Sequence, residues 1–194
     1  MVKRKKFNYQ EDNMSGDTLL RLRDYGIISD ERKQTIELNS TEKEIAEFLG
    51  RKKAEIKRTQ VGFTKDTWQK HYLAYCGEMA FCKITNICFL PIIDPSHNFT
   101  NDEGDALWGG LKVDVKHSSH DPATLAVQSY AKNADVDIYA LITGGPPVFK
   151  YQGAILKKDL MVDSNLGNGP PGFENAYCMN SQKLSYFWWA IKSK

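Results

Sequence analysis

Long apolar runs are what this 194-residue chain most plainly lacks. No stretch approaches the roughly 18 consecutive apolar residues of a membrane-spanning helix. The basic opening, Met1-Val2-Lys3-Arg4-Lys5-Lys6, is followed by no apolar core of the kind a secretory signal carries. A cytoplasmic protein with no membrane partner is therefore expected. Cysteine is scarce as well, and Cys76, Cys82, Cys88 and Cys178 do not fall at zinc-knuckle spacings. Buried free thiols are expected of them. His97, His117 and His120 form no helical His-x3-His pair, so no structural zinc is expected either. The net charge of +2 is too small to single out a polyanionic partner, which leaves that question to local clusters.

What is present is ordinary for globular protein: 41% hydrophobic and 26% charged residues, in a chain long enough to bury a core. Residues 1–16 read as a basic arm. Short helices are expected over 17–25 and 29–38, the second entered through a Ser or Asp cap. Thr41-x-x-Glu44 has the capping-box spacing and opens a helix with Ile45, Phe48 and Leu49 on one apolar side. Gly50 then ends that helix, and a second one starts at Arg51. It gathers Arg51, Lys52, Lys53, Lys57 and Arg58 against a single Glu55, a cation density suited to DNA phosphates and base edges. The run Glu44-Ile45-Ala46-x-x-Leu49-Gly50-Arg51 resembles the helix-turn-helix of Myb-like DNA-binding modules, over residues 17–62. That resemblance implies double-stranded DNA as partner.

A long helix is expected from Lys65 to about Ile84, with Trp68, Tyr72, Tyr75 and Met79 as its buried stripe. Glu78 falls at about 100° from the centre of that stripe, on the margin of the core. Ile87–Ile93 reads as a strand. Between Leu111 and Lys116, Leu111, Val113 and Val115 alternate with Lys112, Asp114 and Lys116, the period-two pattern of a half-buried strand. Asp114 and Lys116 must then project from one face. Nine residues before Asp114, Asp105 follows Gly104 at the mouth of an expected hairpin. A helix is expected over Pro122–Lys132, carrying Gln128. A buried strand follows over Asp137–Thr143, then one or two more over Val148–Leu156. Asp163–Asn175, rich in Gly, Asn and Pro, reads as a long loop, and Tyr186–Trp189 as packing.

Helix with Glu, Gly-Asp at a turn, strand with Asp-x-Lys: in this order Gly77-Glu78-Met79-Ala80, Gly104-Asp105 and Asp114-Val115-Lys116 resemble the PD-(D/E)XK nuclease superfamily. The likeness covers about residues 65–165, within a nuclease domain taken as 65–194. No Pro precedes the first Asp, so Asp102 and Asp94 stand beside Asp105 as alternatives for that position. The resemblance implies an α/β fold, a restriction-endonuclease-like mixed β-sheet flanked by helices, preceded by the small all-α helix-turn-helix module. It implies Mg²⁺, with Mn²⁺ substituting, held by Asp105, Asp114 and the backbone oxygen of Val115, with Glu78 contributing. Lys116 would orient or deprotonate the attacking water, and Gln128 would steady it. Such an enzyme is a DNA endonuclease, site-directed in a restriction-like or homing-type manner through its DNA-reading module. A junction resolvase or phage recombination nuclease is the nearest alternative, and a non-catalytic DNA-binding protein the alternative of another class. Cutting both strands favours a homodimer, because one active site cleaves one strand at a time.

Overall fold

Sequence alternation places the strands, and small residues decide how the helices meet them. The computed structural model describes residues 35–61, 67–89, 104–108 and 110–185, with side chains in the first range as far as Ile56. The expected arm, the helix over 17–25, residues 29–34, Asp94, Asp102 and Tyr186–Trp189 lie outside the described residues. So do the side chains of Lys57 and Arg58.

The elements in chain order are β1 (Thr35–Glu37), α1 (Ser40–Val61), α2 (Trp68–Thr85), β2 (Ala106–Trp108), β3 (Leu111–Ser118), β4 (Thr124–Gln128), β5 (Ile138–Gly145), β6 (Val148–Leu156), the single-turn α3 (Lys157–Leu160) and β7 (Ala176–Asn180). Five strands form one sheet in the order β1-β6-β5-β3-β2. Among the described strands only β3 and β5 run parallel, with Val113 opposite Ile138 and Lys116 opposite Leu141. The fold is thus α/β with a mixed sheet. Of the one or two strands expected over Val148–Leu156, one forms, its pairing irregular where β5 passes from Leu141 to Ile142.

One face of this sheet is covered by α2, whose Phe81 meets Trp108 of β2 edge-on and tilts against Tyr151 of β6. The other face is covered by a second sheet, β4 paired antiparallel with β7. Leu125, Val127 and Tyr177 pack there with Tyr139, Leu141 and Leu160. The helix expected over Pro122–Lys132 is therefore a strand followed by a 3-10 turn, Ser129–Asn133. Leu125 and Val127 are buried, and Thr124, Ala126 and Gln128 alternate with them. That is a period-two pattern, and its pairing partner lies about fifty residues downstream. The other expected strand, from Ile87, is not one as far as the described residues go: Ile87–Phe89 have no regular structure.

Larger differences arise at the N-terminal end. Thr35–Glu37, expected at the end of a helix, pairs with Lys150, Phe149 and Val148 as an edge strand. The capping box forms two residues earlier than expected. Asn39 Oδ1 accepts from the Glu42 N–H at 2.9 Å, and Glu42 Oε2 accepts from the Asn39 N–H at 2.7 Å. Most importantly, no turn forms at Gly50: α1 runs unbroken through it to Val61. A Cβ on Gly50 would lie 2.7 Å from the Tyr72 backbone nitrogen and 2.9 Å from its Cα. The glycine lets two helix backbones cross closely rather than ending one of them. Ala46, Leu49 and Ala54 are buried on the same side, whereas Ile45 and Phe48 are 44% and 58% exposed. Lys83 of α2 secures the start of α1 by ion-pairing with Glu42 at 2.9 Å and donating to the Glu37 carbonyl. The described residues all belong to one compact unit that begins at Arg32.

Gly50→Val puts a branched side chain into that crossing. Overpacking of this kind costs about 1–3 kcal/mol, more than the few tenths returned by better helix propensity. A chain of this size should then melt roughly 2–4 °C lower for each kcal/mol lost. An unchanged thermal midpoint would show that α1 and α2 do not meet at Gly50.

Candidate active site

The hairpin β2/β3 positions the first carboxylate. Trp108 pairs with Leu111, and Ala106 with Val113. Asp105 comes one register step beyond that last pair, alongside Asp114. Gly104 sits at φ +85°, and a Cβ there would press to 3.0 Å from the Val113 oxygen. A side chain is thus excluded twice, by conformation and by space. This close approach lets the Asp105 N–H donate to the Val113 carbonyl at 2.7 Å. The Val115 N–H in turn donates to Asp105 Oδ2, also at 2.7 Å. Asp105 is clamped to β3 through its backbone and its side chain. It keeps some surface at the mouth of the hairpin, but protein encloses its carboxyl group.

The second carboxylate and the lysine come from β3 itself. Asp114 is 2% exposed. Lys116, two residues on and on the same face, reaches Asp114 Oδ1 at 2.6 Å and Oδ2 at 2.8 Å. The third carboxylate, Glu78, is 8% exposed on α2, more deeply placed than the margin its helical angle indicates. Buried acids on separate elements need a reason to coexist. Burial, then the charges of Glu78 and Asp114, push the Asp105 carboxyl well above the usual carboxylate range, against the pull of Lys116 and the Val115 N–H. The same negative focus reaches its neighbours. Burial and then Glu78 and Asp105 raise the Tyr75 hydroxyl, and they push the Cys82 thiol up to about 12. A buried focus of negative potential with one ammonium against it favours a further cation.

Glu78, Asp105, Asp114 and Lys116 are thus gathered by α2, the hairpin mouth and β3. No protein-family model matches the chain, and searches of curated proteins and of solved structures found no match either.

The ligands that the sequence resemblance implies, Asp105, Asp114 and the backbone oxygen of Val115, would offer a cation only oxygen donors, the kind that hard ions such as Mg²⁺ take. Among the described residues, no three His, Cys, Asp or Glu side chains form a group that could hold a metal ion. Two carboxylates completed by a backbone oxygen and by substrate remain a normal arrangement for Mg²⁺.

Other candidates fall elsewhere. Gln128 ends β4, opposite Ala176 of β7, with no described contact to the acidic group. Lys112 ion-pairs with Asp135, and its backbone N–H donates to Asp137 Oδ2, so it braces the start of β5. On α1, Arg51 pairs with Glu47 at 2.7 Å and lies over the Trp68 ring. Lys52 pairs with Glu55, and Lys53 lies over Tyr75. His117 faces α2, where a Cβ on Gly77 would come 3.1 Å from its own Cβ. Its Nε2 bonds the Gly144 oxygen at 2.8 Å, and burial lowers its pKa.

A cleft of about 420 Å³ opens beside Lys116. Ser118, His120 and Thr124 line it with Leu141, Pro170 and Phe173. No sequence pattern joins these residues into one site, and His120 enters the sequence analysis only as a rejected zinc ligand. Phe173 and Pro170 sit in the long Gly/Asn/Pro loop, and no spacing announces that this loop folds back toward β3.

Proposed function

We propose that this chain is a divalent-cation-dependent DNA endonuclease. The supporting observation is the convergence of Glu78, Asp105 and Asp114 with Lys116 at the mouth of one hairpin. Three buried or enclosed carboxylates cost stability, and at Asp105 the Lys116 charge and the Val115 N–H offset only part of that cost. Divalent-cation chemistry at such a site acidifies water and neutralises charge on a phosphodiester under attack.

The chain's own groups do the rest. The Val115 N–H holds Asp105 in one orientation, and β3 carries Asp114 and the Val115 oxygen as one rigid unit, so Asp105, Asp114 and Val115 hold Mg²⁺ or Mn²⁺. Glu78 adds negative charge from α2. The Lys116 ammonium, partly open to the cleft, positions the attacking water and stabilises charge building on the phosphorus oxygens. Gln128 is left out of this reading.

Arg51, Lys52 and Lys53 supply cations to the DNA phosphates from the continuous α1. The ion pairs of Arg51 and Lys52 do not oppose this, since exposed pairs contribute about 0–1 kcal/mol and exchange readily for phosphate. Arg51→Ala with Lys53→Ala should weaken DNA binding and flatten its dependence on salt by roughly one unit of log–log slope for each phosphate no longer neutralised. A slope identical to wild type would remove α1 from the interface.

The direct test is incubation of supercoiled plasmid with the purified chain. Nicked or linear product is expected in Mg²⁺ or Mn²⁺ and none in EDTA. If no DNA is cut in either metal, the chain is not a nuclease.

A further inference from the structure

The cleft beside Lys116 has the chemistry of a nucleobase site, and we propose that it takes one unpaired base next to the cleaved phosphodiester. The inference rests on the nuclease reading and adds the form of DNA that is cut. The cleft begins at Lys116, the group assigned to the reacting phosphate, and extends along the face of β3 past Ser118. Its volume of about 420 Å³ falls in the range of small-ligand sites. It suits one nucleoside and is too small for a stacked duplex. Pro122, Pro170 and Phe173 give it flat apolar walls, and Ser118, His120 and Thr124 give it hydrogen-bonding groups. That mixture is what recognises a base withdrawn from its stack: an aromatic platform for the ring, polar atoms for its edge.

Phe173 is built as such a platform. It is 37% exposed, so part of the residue is open to a stacking partner. Its backbone is held from both directions: its N–H donates to the Pro170 oxygen at 3.1 Å, and its oxygen accepts from Ala176 at 3.0 Å. The loop behind it is pressed onto β7, where a Cβ on Gly169 would fall 2.5 Å from Cys178 Sγ and 2.8 Å from the Phe173 Cβ. A backbone held in this way keeps the root of the ring at the cleft wall before a base arrives. The cleft does not accommodate a base still paired in a duplex, so DNA that is single-stranded, splayed or flapped at the cut enters with less cost.

Two measurements test this on the full chain. The first is titration, in EDTA, of a short single-stranded oligodeoxynucleotide containing 2-aminopurine, whose emission falls when its ring stacks. Wild type should quench it. Phe173→Ala should lose the quench and bind roughly tenfold more weakly, and Phe173→Trp should restore both. The second compares cleavage rates on fully paired DNA and on the same sequence unpaired at the cut. Wild type should favour the unpaired form, and Phe173→Ala should reduce that preference more than it slows cutting of paired DNA. Cleavage indifferent to pairing, or a quench unchanged in Phe173→Ala, overturns the base site and leaves the nuclease reading standing. Absence of cleavage on every DNA form overturns the nuclease reading itself, and the inference with it.

Discussion

Lys116→Ala is expected to lower Mg²⁺-dependent cleavage by roughly 10²–10³-fold or more, the loss seen when a group aimed at transition-state charge is removed. Its effect on stability should depend on whether a divalent cation is present. In the wild type the Lys116 ammonium ion-pairs with Asp114, which is 2% exposed, close to two further carboxylates. Truncation takes that ion pair away from a buried carboxylate. Breaking a fully buried pair costs about 3–5 kcal/mol, and the penalty here is smaller because the Lys116 side chain is 35% exposed and water screens it. The variant should therefore melt below wild type in EDTA. Added Mg²⁺ or Mn²⁺ places positive charge among the same carboxylates and should recover most of the lost midpoint, but not the activity. Thermal melts with and without cation, beside plasmid cleavage, separate the two roles of the lysine. Recovery of both would mean that Lys116 balances charge and does no more. Recovery of neither would mean that no cation enters this group.

How much of this was legible in the sequence follows from the range of the interactions. Alternation over Leu111–Lys116 is local, and the strand forms with Asp114 and Lys116 on one face. Gly104-Asp105 at the mouth of a hairpin is local too, and the structure adds the positive φ and the close approach that require the glycine. Helical angle put Glu78 only at the margin of the core, and the packing of α2 onto the sheet buries it further. The features that escaped need a partner distant in sequence. Gly50 fits either a helix stop or a helix crossing, and only the Tyr72 backbone, on another helix, decides between them. Leu125-Ala126-Val127 is short enough for helix or strand, and β7 decides that. Two capping boxes of identical spacing overlap at Asn39–Glu42 and Thr41–Glu44. The earlier one forms because buried Leu38, whose N–H donates to the Pro147 oxygen, fixes where the chain leaves β1.

Asp105→Asn should move activity and stability in opposite directions. Cleavage should fall by about as much as in Lys116→Ala, since one of two side chains assigned to the cation is neutralised. The fold, in the absence of divalent cation, should gain. Burial, then Glu78 and Asp114, hold the Asp105 carboxyl well above its unfolded value. A group raised in this way contributes stability that is complete below its unfolded pKa and is lost as pH rises through the folded one. At neutral pH the wild type carries that loss. Asparagine never ionises, yet its amide oxygen can still accept the Val115 N–H that Asp105 Oδ2 accepts now. In EDTA the two proteins should melt together near pH 4, and the variant should pull ahead as pH rises toward about 8. Adding Mg²⁺ or Mn²⁺ at the upper end should raise wild type and leave Asp105→Asn nearly unmoved, closing the gap from the other side. This is the expected signature of a site that holds stability in reserve for a ligand. Parallel curves across the whole range, with no cation effect on either protein, would show that Asp105 carries no such strain and that the acidic group is not a cation site.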